Sequence, residues 1–180
     1  NPESEAAILD YVDILIASDR QSEAARFLVD ASLRLPKSDE VAVRTLEVLE
    51  DSKDYRALEE FLEARLELAP ERSDLRFRLV KVRYALGEDA EAEQDFKAVV
   101  AGLEAAAVSD RILELQRFLR SIDRIDAAGV YLKHYVRDNP GRLDVARELG
   151  EIYIALDRQP AIEVMVSQLQ APEAPVEEVV

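Results

Sequence analysis

The 180-residue chain has no cysteine and no tryptophan, one histidine, one methionine and only five glycines. Without cysteine there can be no disulfide, no thiolate nucleophile and no Cys-based metal site. That absence carries no message about compartment. The single histidine, His134 in a Lys-His-Tyr stretch, leaves a nucleophilic triad or a histidine metal cluster without the groups it needs. It reads as a surface or boundary residue. Five scattered glycines make no phosphate-cradling loop, and their scarcity argues against a turn-rich β fold. No apolar run approaches the roughly 20 residues of a membrane-spanning helix. Acid runs such as Asp10 with Asp13, or Glu59 with Glu60 and Glu63, read as ordinary helix surface. No catalytic, cofactor-binding or metal residue is expected, and the chain does not read as an enzyme.

Positive charge is also in short supply. There are 23 Lys+Arg against 38 Asp+Glu, a formal net charge of −15, with most of the excess in residues 1–71. Such a surface favours solubility and repels a phosphate backbone, so nucleic acid is not an expected partner. Arginine outnumbers lysine 18 to 5, which hints at a GC-rich bacterial coding sequence. The sequence leaves the compartment open between bacterial cytoplasm and periplasm. Starting at Asn1 with neither Met nor a signal peptide, the chain reads as a fragment of a larger protein.

What the chain does have is helix-forming composition, with 48% hydrophobic and 34% charged residues. Apolar residues recur at helical spacing and never in strict alternation. Ile8, Leu9, Val12, Leu15 and Ile16 make one stripe, and Asp19–Gln21 breaks it. Ala24, Phe27, Leu28, Ala31 and Leu35 make a second, which Pro36 ends. Asp39 reads as the N-cap of a helix through about Ser52. Residues 57–69 follow, then Pro70, 34 residues after Pro36. Ser73 or Asp74 opens a third pair, with Leu79, Tyr84 and Leu86 on its first helix and Gly87 suited to a left-handed cap. Gly102–Ser109 reads as a longer connection holding two inserted residues, and a fourth pair opens at Asp110. Its second helix ends at Asn139-Pro140. Pro160 suits the first turn of a last helix over about Gln159–Gln170.

In the stretch Asn139–Arg158, the residues Ala146, Leu149, Gly150 and Tyr153 have the spacing of the W-x2-L-G-x2-Y signature, with Ala in place of Trp. Ala92, Phe96 and Val99 match the A-x3-F of its second helix. With the 34-residue step, the chain resembles the tetratricopeptide repeat (TPR) family. The resemblance implies an all-α fold, a right-handed superhelical solenoid of about five TPR-like helix-turn-helix hairpins. The expected organisation is a frayed lead at 1–3, a repeat domain at 4–170 (repeats about 4–36, 37–70, 71–108, 109–140 and 141–170) and a disordered acidic tail or linker at 171–180. Small residues such as Ala24, Ala92, Ala128 and Gly150 would let helices approach closely, while Phe27, Phe96, Leu132 and Tyr153 fill the space between them. Each hairpin would bury its stripe against its neighbours.

In that family the first helix of each pair lines a concave groove. The resemblance places there Leu9, Asp13 and Ile16, then Val43, Glu47 and Glu50, then Phe77, Lys81 and Tyr84, then Leu113, Arg117 and Arg120, then Arg147, Glu151 and Ile154. The groove would be acidic at its N-terminal end and basic in its middle. The expected function is a protein–protein interaction scaffold or adaptor. Its candidate site is an extended peptide held over Phe77, Arg78, Lys81, Tyr84, Leu113, Arg117 and Arg120, with carboxylates gripped by the cations and Phe77, Tyr84 and Leu113 as apolar anchors. Against this stands a purely solvated face, with Asp74–Arg78 and Glu114–Arg117 pairing locally. Two other roles fit the same sequence: a periplasmic scaffold of a cell-envelope or exopolysaccharide export machine, and a non-catalytic regulatory half of a larger enzyme. Self-association through end helices is a further expectation.

Overall fold

The computed structural model describes residues 4–139, 141–158, 161, 162 and 166. The expectations for Asn1–Glu3, for Pro140, for most of Gln159–Gln170 and for the tail at 171–180 lie outside these residues. Every regular element among them is helical: α1 (Glu5–Ala17), α2 (Gln21–Arg34), α3 (Asp39–Ser52), α4 (Tyr55–Leu68), α5 (Ser73–Leu86), α6 (Asp89–Val100), α7 (Ala105–Ser121), α8 (Ile125–Asp138) and α9 (Leu143–Ala155). None is long and apolar enough to cross a membrane among the described residues. The chain divides into two compact units, Asn1–Gly87 with α1–α5 and Glu88–Val180 with α6–α9.

Helix starts follow side-chain chemistry. The Ser4 hydroxyl accepts from the Ala7 N–H, Ser38 from Val41 and Asp54 from Ala57, each at 3.2 Å. Ser38, and not the expected Asp39, caps α3. Asp39 lies in the first turn instead, where its charge suits the positive end of the helix.

Helix ends carry the repeat most plainly. Among the described residues five have positive φ: Asp19, Lys53, Gly87, Asp123 and Asp157. The steps between them are 34, 34, 36 and 34 residues. Around four of these positions the N–H one residue on reaches back to the last turn: Arg20 to the Leu15 carbonyl at 2.9 Å, Asp54 to Leu49 at 3.3 Å, Arg124 to Leu119 at 2.8 Å and Arg158 to Tyr153 at 2.8 Å. This left-handed stop satisfies carbonyls that the helix leaves open. The single 36-residue step puts the two inserted residues between Gly87 and Asp123, as the proline spacing implies. The connection is shorter than expected, however. Helix α7 starts at Ala105, so Ala105–Ser109 is helical and not loop. Three successive alanines favour that extra turn.

In unit 1, α1 packs on α2, α2 on α3, α3 on α4 and α4 on α5. The core is built from Ile8, Val12, Leu15, Leu28, Val41, Leu49, Leu58, Leu62, Leu79 and Val82. The Arg83 guanidinium of α5 reaches α4, at 2.5 Å from Glu63 and 3.4 Å from Glu59. In unit 2, α8 packs on both α7 and α9, over buried Ile112, Leu115, Leu119, Leu132, Val136, Leu149 and Ile152. Gly129 of α8 faces α9 so closely that a Cβ there would stand 3.2 Å from the Ile152 Cγ2. The expected all-α class of successive helical hairpins holds among the described residues. These are all-α hairpins in sequence, with Ala24, Ala92, Phe96, Leu132 and Tyr153 buried as expected and Phe27 partly so.

Candidate functional site

The first helices of unit 1 leave an open cleft of about 640 Å3, lined by Leu9 and Asp13 of α1 and by Asp39, Glu40, Val43, Arg44 and Glu47 of α3. Four of these, Leu9, Asp13, Val43 and Glu47, are the inner-face positions expected from the repeat register. Val43 is 53% exposed although it is aliphatic. Arg44 sits in the middle. Its guanidinium donates to Asp13 at 2.5 Å and to Glu47 at 3.2 Å. The hydrogen bond to Glu47, with that to Asp13, holds its pKa above the ordinary arginine value. Asp39 is 3.8 Å from Arg65 of α4. The cleft therefore offers four carboxylates, one guanidinium and two aliphatic side chains.

Charged contacts link one first helix to the next within each unit. In unit 1 Asp13 of α1 meets Arg44 of α3, and Glu50 of α3 pairs with Arg78 of α5. In unit 2 the Gln116 amide of α7 donates to Glu148 of α9 at 3.0 Å, and Arg120 lies 3.8 Å from Glu151, which Arg147 also approaches at 3.5 Å. Asp13 to Arg44 and Arg120 to Glu151 are both 31 residues apart. That separation is one repeat less about one helical turn, so such pairs sit diagonally across adjacent first helices. It is the signal by which Arg44 was findable in the sequence.

The expected basic site fares unevenly. On α5, Phe77 and Tyr84 are 2% and 1% exposed. A side chain without accessible surface offers no face to a guest, so both are core residues here and not open anchors. Arg78 is engaged by Glu50, and the Lys81 ammonium lies 5.2 Å from the Phe77 ring centre. On α7, Leu113 is half-buried, Arg120 approaches Glu151, and Arg117 is exposed with no ion pair among the described residues. The expected local pairs also differ. Asp74 takes the Arg72 guanidinium at 2.8 and 2.9 Å, which lowers its pKa, and Glu114 takes Arg111 at 3.0 Å. Among the described residues no group of three or more His, Asp or Glu could hold a metal ion, and His134 is exposed.

No protein-family model matches the chain, and no curated protein does. Solved structures do. One is MamA residues 41–end from Desulfovibrio magneticus RS-1, at 17% identity and TM-score 0.53, with 90% of each chain covered. A MamA RS-1 double mutant matches at 20% identity and TM-score 0.52, again over 90% of each chain. YrrB, described as a TPR protein with an unusual peptide-binding site, matches at 16% identity and TM-score 0.52, covering 94% of this chain and 86% of its own. At such identities the likeness speaks for architecture alone. With its 34-residue left-handed stops and sequential hairpins, the chain has the tetratricopeptide-repeat fold.

Proposed function

We propose that the chain is a protein-interaction module whose first-helix face takes an extended segment of a partner protein. The observation that carries this reading is the open cleft between α1 and α3, where an exposed aliphatic floor lies inside a charged rim. Leu9 and Val43 give a partner's apolar side chain something to cover, and the surrounding charges orient it. Four carboxylates outnumber the guanidinium of Arg44 and that of Arg65 beside Asp39, and the net negative rim favours a lysine or arginine on the guest. The peptide site of YrrB supports the class of ligand by analogy of fold.

The sequence alone favours an acidic guest over the middle of the array. Arg117 keeps that possibility in unit 2: it is exposed, unengaged and one helical turn after Leu113, so it can take a guest carboxylate. Arg78 and Arg120 would first have to leave Glu50 and Glu151.

Fluorescein-labelled peptides that alternate Leu with Lys or with Glu test both readings by anisotropy. The lysine set should bind saturably, and Val43→Arg should weaken it at least tenfold with an unchanged helical circular-dichroism signal. Arg117→Glu should weaken only the glutamate set. The proposal fails if neither set saturates, or if both variants bind like the parent.

A further inference from the structure

Unit 1 carries another cavity on the side of its second helices. Its volume is about 570 Å3, and its residues come from α2, from the end of α3 and from the start of α4. It shares no residue with the cleft between α1 and α3. It lies inside the unit and not at an end of it, since α1 packs on α2 and α5 packs on α4. Its base is aliphatic. Ala25 and Leu49 are buried, Val29 and Ala57 are half-buried, and Leu33 stands 67% exposed at its edge.

The next repeat fills the same place with ions. One period on, Ser22, Ala25, Val29 and Leu49 become Arg56, Glu59, Glu63 and Arg83. These four pair with one another: Arg56 donates to Glu59 at 2.6 Å, and Arg83 lies 2.5 Å from Glu63 and 3.4 Å from Glu59. Leu33 becomes Glu67. In the first hairpin the same positions border open space with aliphatic side chains, which the apolar body of a guest would remove from water.

One charge at this cavity is left over. Arg26 lines it, is exposed and has no ion pair among the described residues. The acids within reach on its own helix are taken. Glu23, three residues before, accepts from Arg20 through both carboxylate oxygens at 2.5 and 2.9 Å, and acts on Arg26 only at longer range. Asp30, four residues after, pairs with Arg34 at 3.0 Å. Asp54 accepts from the Ala57 N–H at 3.2 Å as the cap of α4, and the Ser52 hydroxyl donates to the Leu49 carbonyl at 3.1 Å.

We propose that this cavity is a binding site for a small aliphatic monocarboxylate, with its carboxylate gripped by Arg26 and its alkyl chain laid on Ala25, Val29 and Leu49 towards Leu33. A guanidinium holds a carboxylate through two parallel hydrogen bonds. Arg26 to Leu33 spans roughly 10 Å of helix, the extended length of an acid of about eight carbons. A peptide fits less well. Its amides would enter a cavity in which most other polar side chains are already engaged, and amides without partners there are costly.

Isothermal titration calorimetry of the whole chain with sodium octanoate tests this. Octanoate should bind saturably at one site, with a Kd of about 1 mM or below. 1-Octanol, with the same chain and no charge, should bind at least tenfold more weakly. Arg26→Gln should weaken octanoate at least tenfold. Leu33→Glu, which installs the residue of the second repeat, should weaken it at least fivefold. Both positions are exposed, and unchanged circular dichroism would exclude unfolding. Val43→Arg in the inner cleft should leave the binding intact. The inference is overturned if octanoate does not saturate in the millimolar range, if octanol binds as tightly, if Arg26→Gln or Leu33→Glu binds like the parent chain, or if Val43→Arg abolishes binding. An acetylated tripeptide with a free C-terminal leucine that binds tighter than octanoate would assign the cavity to a chain end and also overturn it.

Discussion

Ser109 is buried in α7, and among the described residues its Oγ has no hydrogen-bond partner. A buried hydroxyl left in that state is unfavourable, so Ser109→Ala should stabilise the protein by about 1 kcal/mol, read as a higher midpoint in urea. Tyr153 is a second residue whose environment sets a measurable property. Burial raises its pKa above the ordinary tyrosine value, with Arg158 opposing. The folded state thus prefers the neutral phenol. The associated stability is complete below the unfolded pKa and is lost as pH rises through the folded one. Thermal melts from pH 9 to 12 should fall less steeply for Tyr153→Phe than for the parent, and equal slopes would refute the assignment. Legibility was mixed at this scale. Tyr153 was readable as packing from its place in the repeat signature. Phe77 and Tyr84 were misread as exposed, because the same inner register holds exposed Val43 and Glu50 one repeat earlier and only packing tells the two cases apart.

At the scale of elements, the left-handed stop is the unit that repeats. Only Gly87 meets its geometry without a Cβ penalty; Lys53 adopts φ 54° and ψ 29° at the end of α3 with a full side chain. Lys53→Gly should therefore gain about 1 kcal/mol, and Gly87→Ala should lose a similar amount; thermal melts of the two variants check both signs. Gly87 was legible as a cap. Asp19, Asp123 and Asp157 were not, since an aspartate after a helix looks like any polar link until its φ is known. The start of α7 was hidden for a related reason. Ala105–Ala107 is a run of three strong helix formers, but the regular repeat step pointed to a later beginning.

For the molecule as a whole, charge is the dominant global term. With a net charge of −15, self-repulsion opposes compaction, and the ion pairs are mostly exposed and individually weak. Raising NaCl from 10 mM to 0.5 M should lift the melting temperature by roughly 2–4 °C, the shift that about 1 kcal/mol gives a chain of this size. A fall would mean that the pairs between first helices outweigh the repulsion. By itself the sequence determined the helices, the 34-residue step and the pairing of long apolar stripes, because these follow from periodicity and backbone chemistry that each segment carries locally. Tertiary structure alone decided which charges are already engaged, as Arg78 is by Glu50. That depends on what packs alongside from another part of the chain, and a repeat gives every copy the same pattern whatever its neighbour carries.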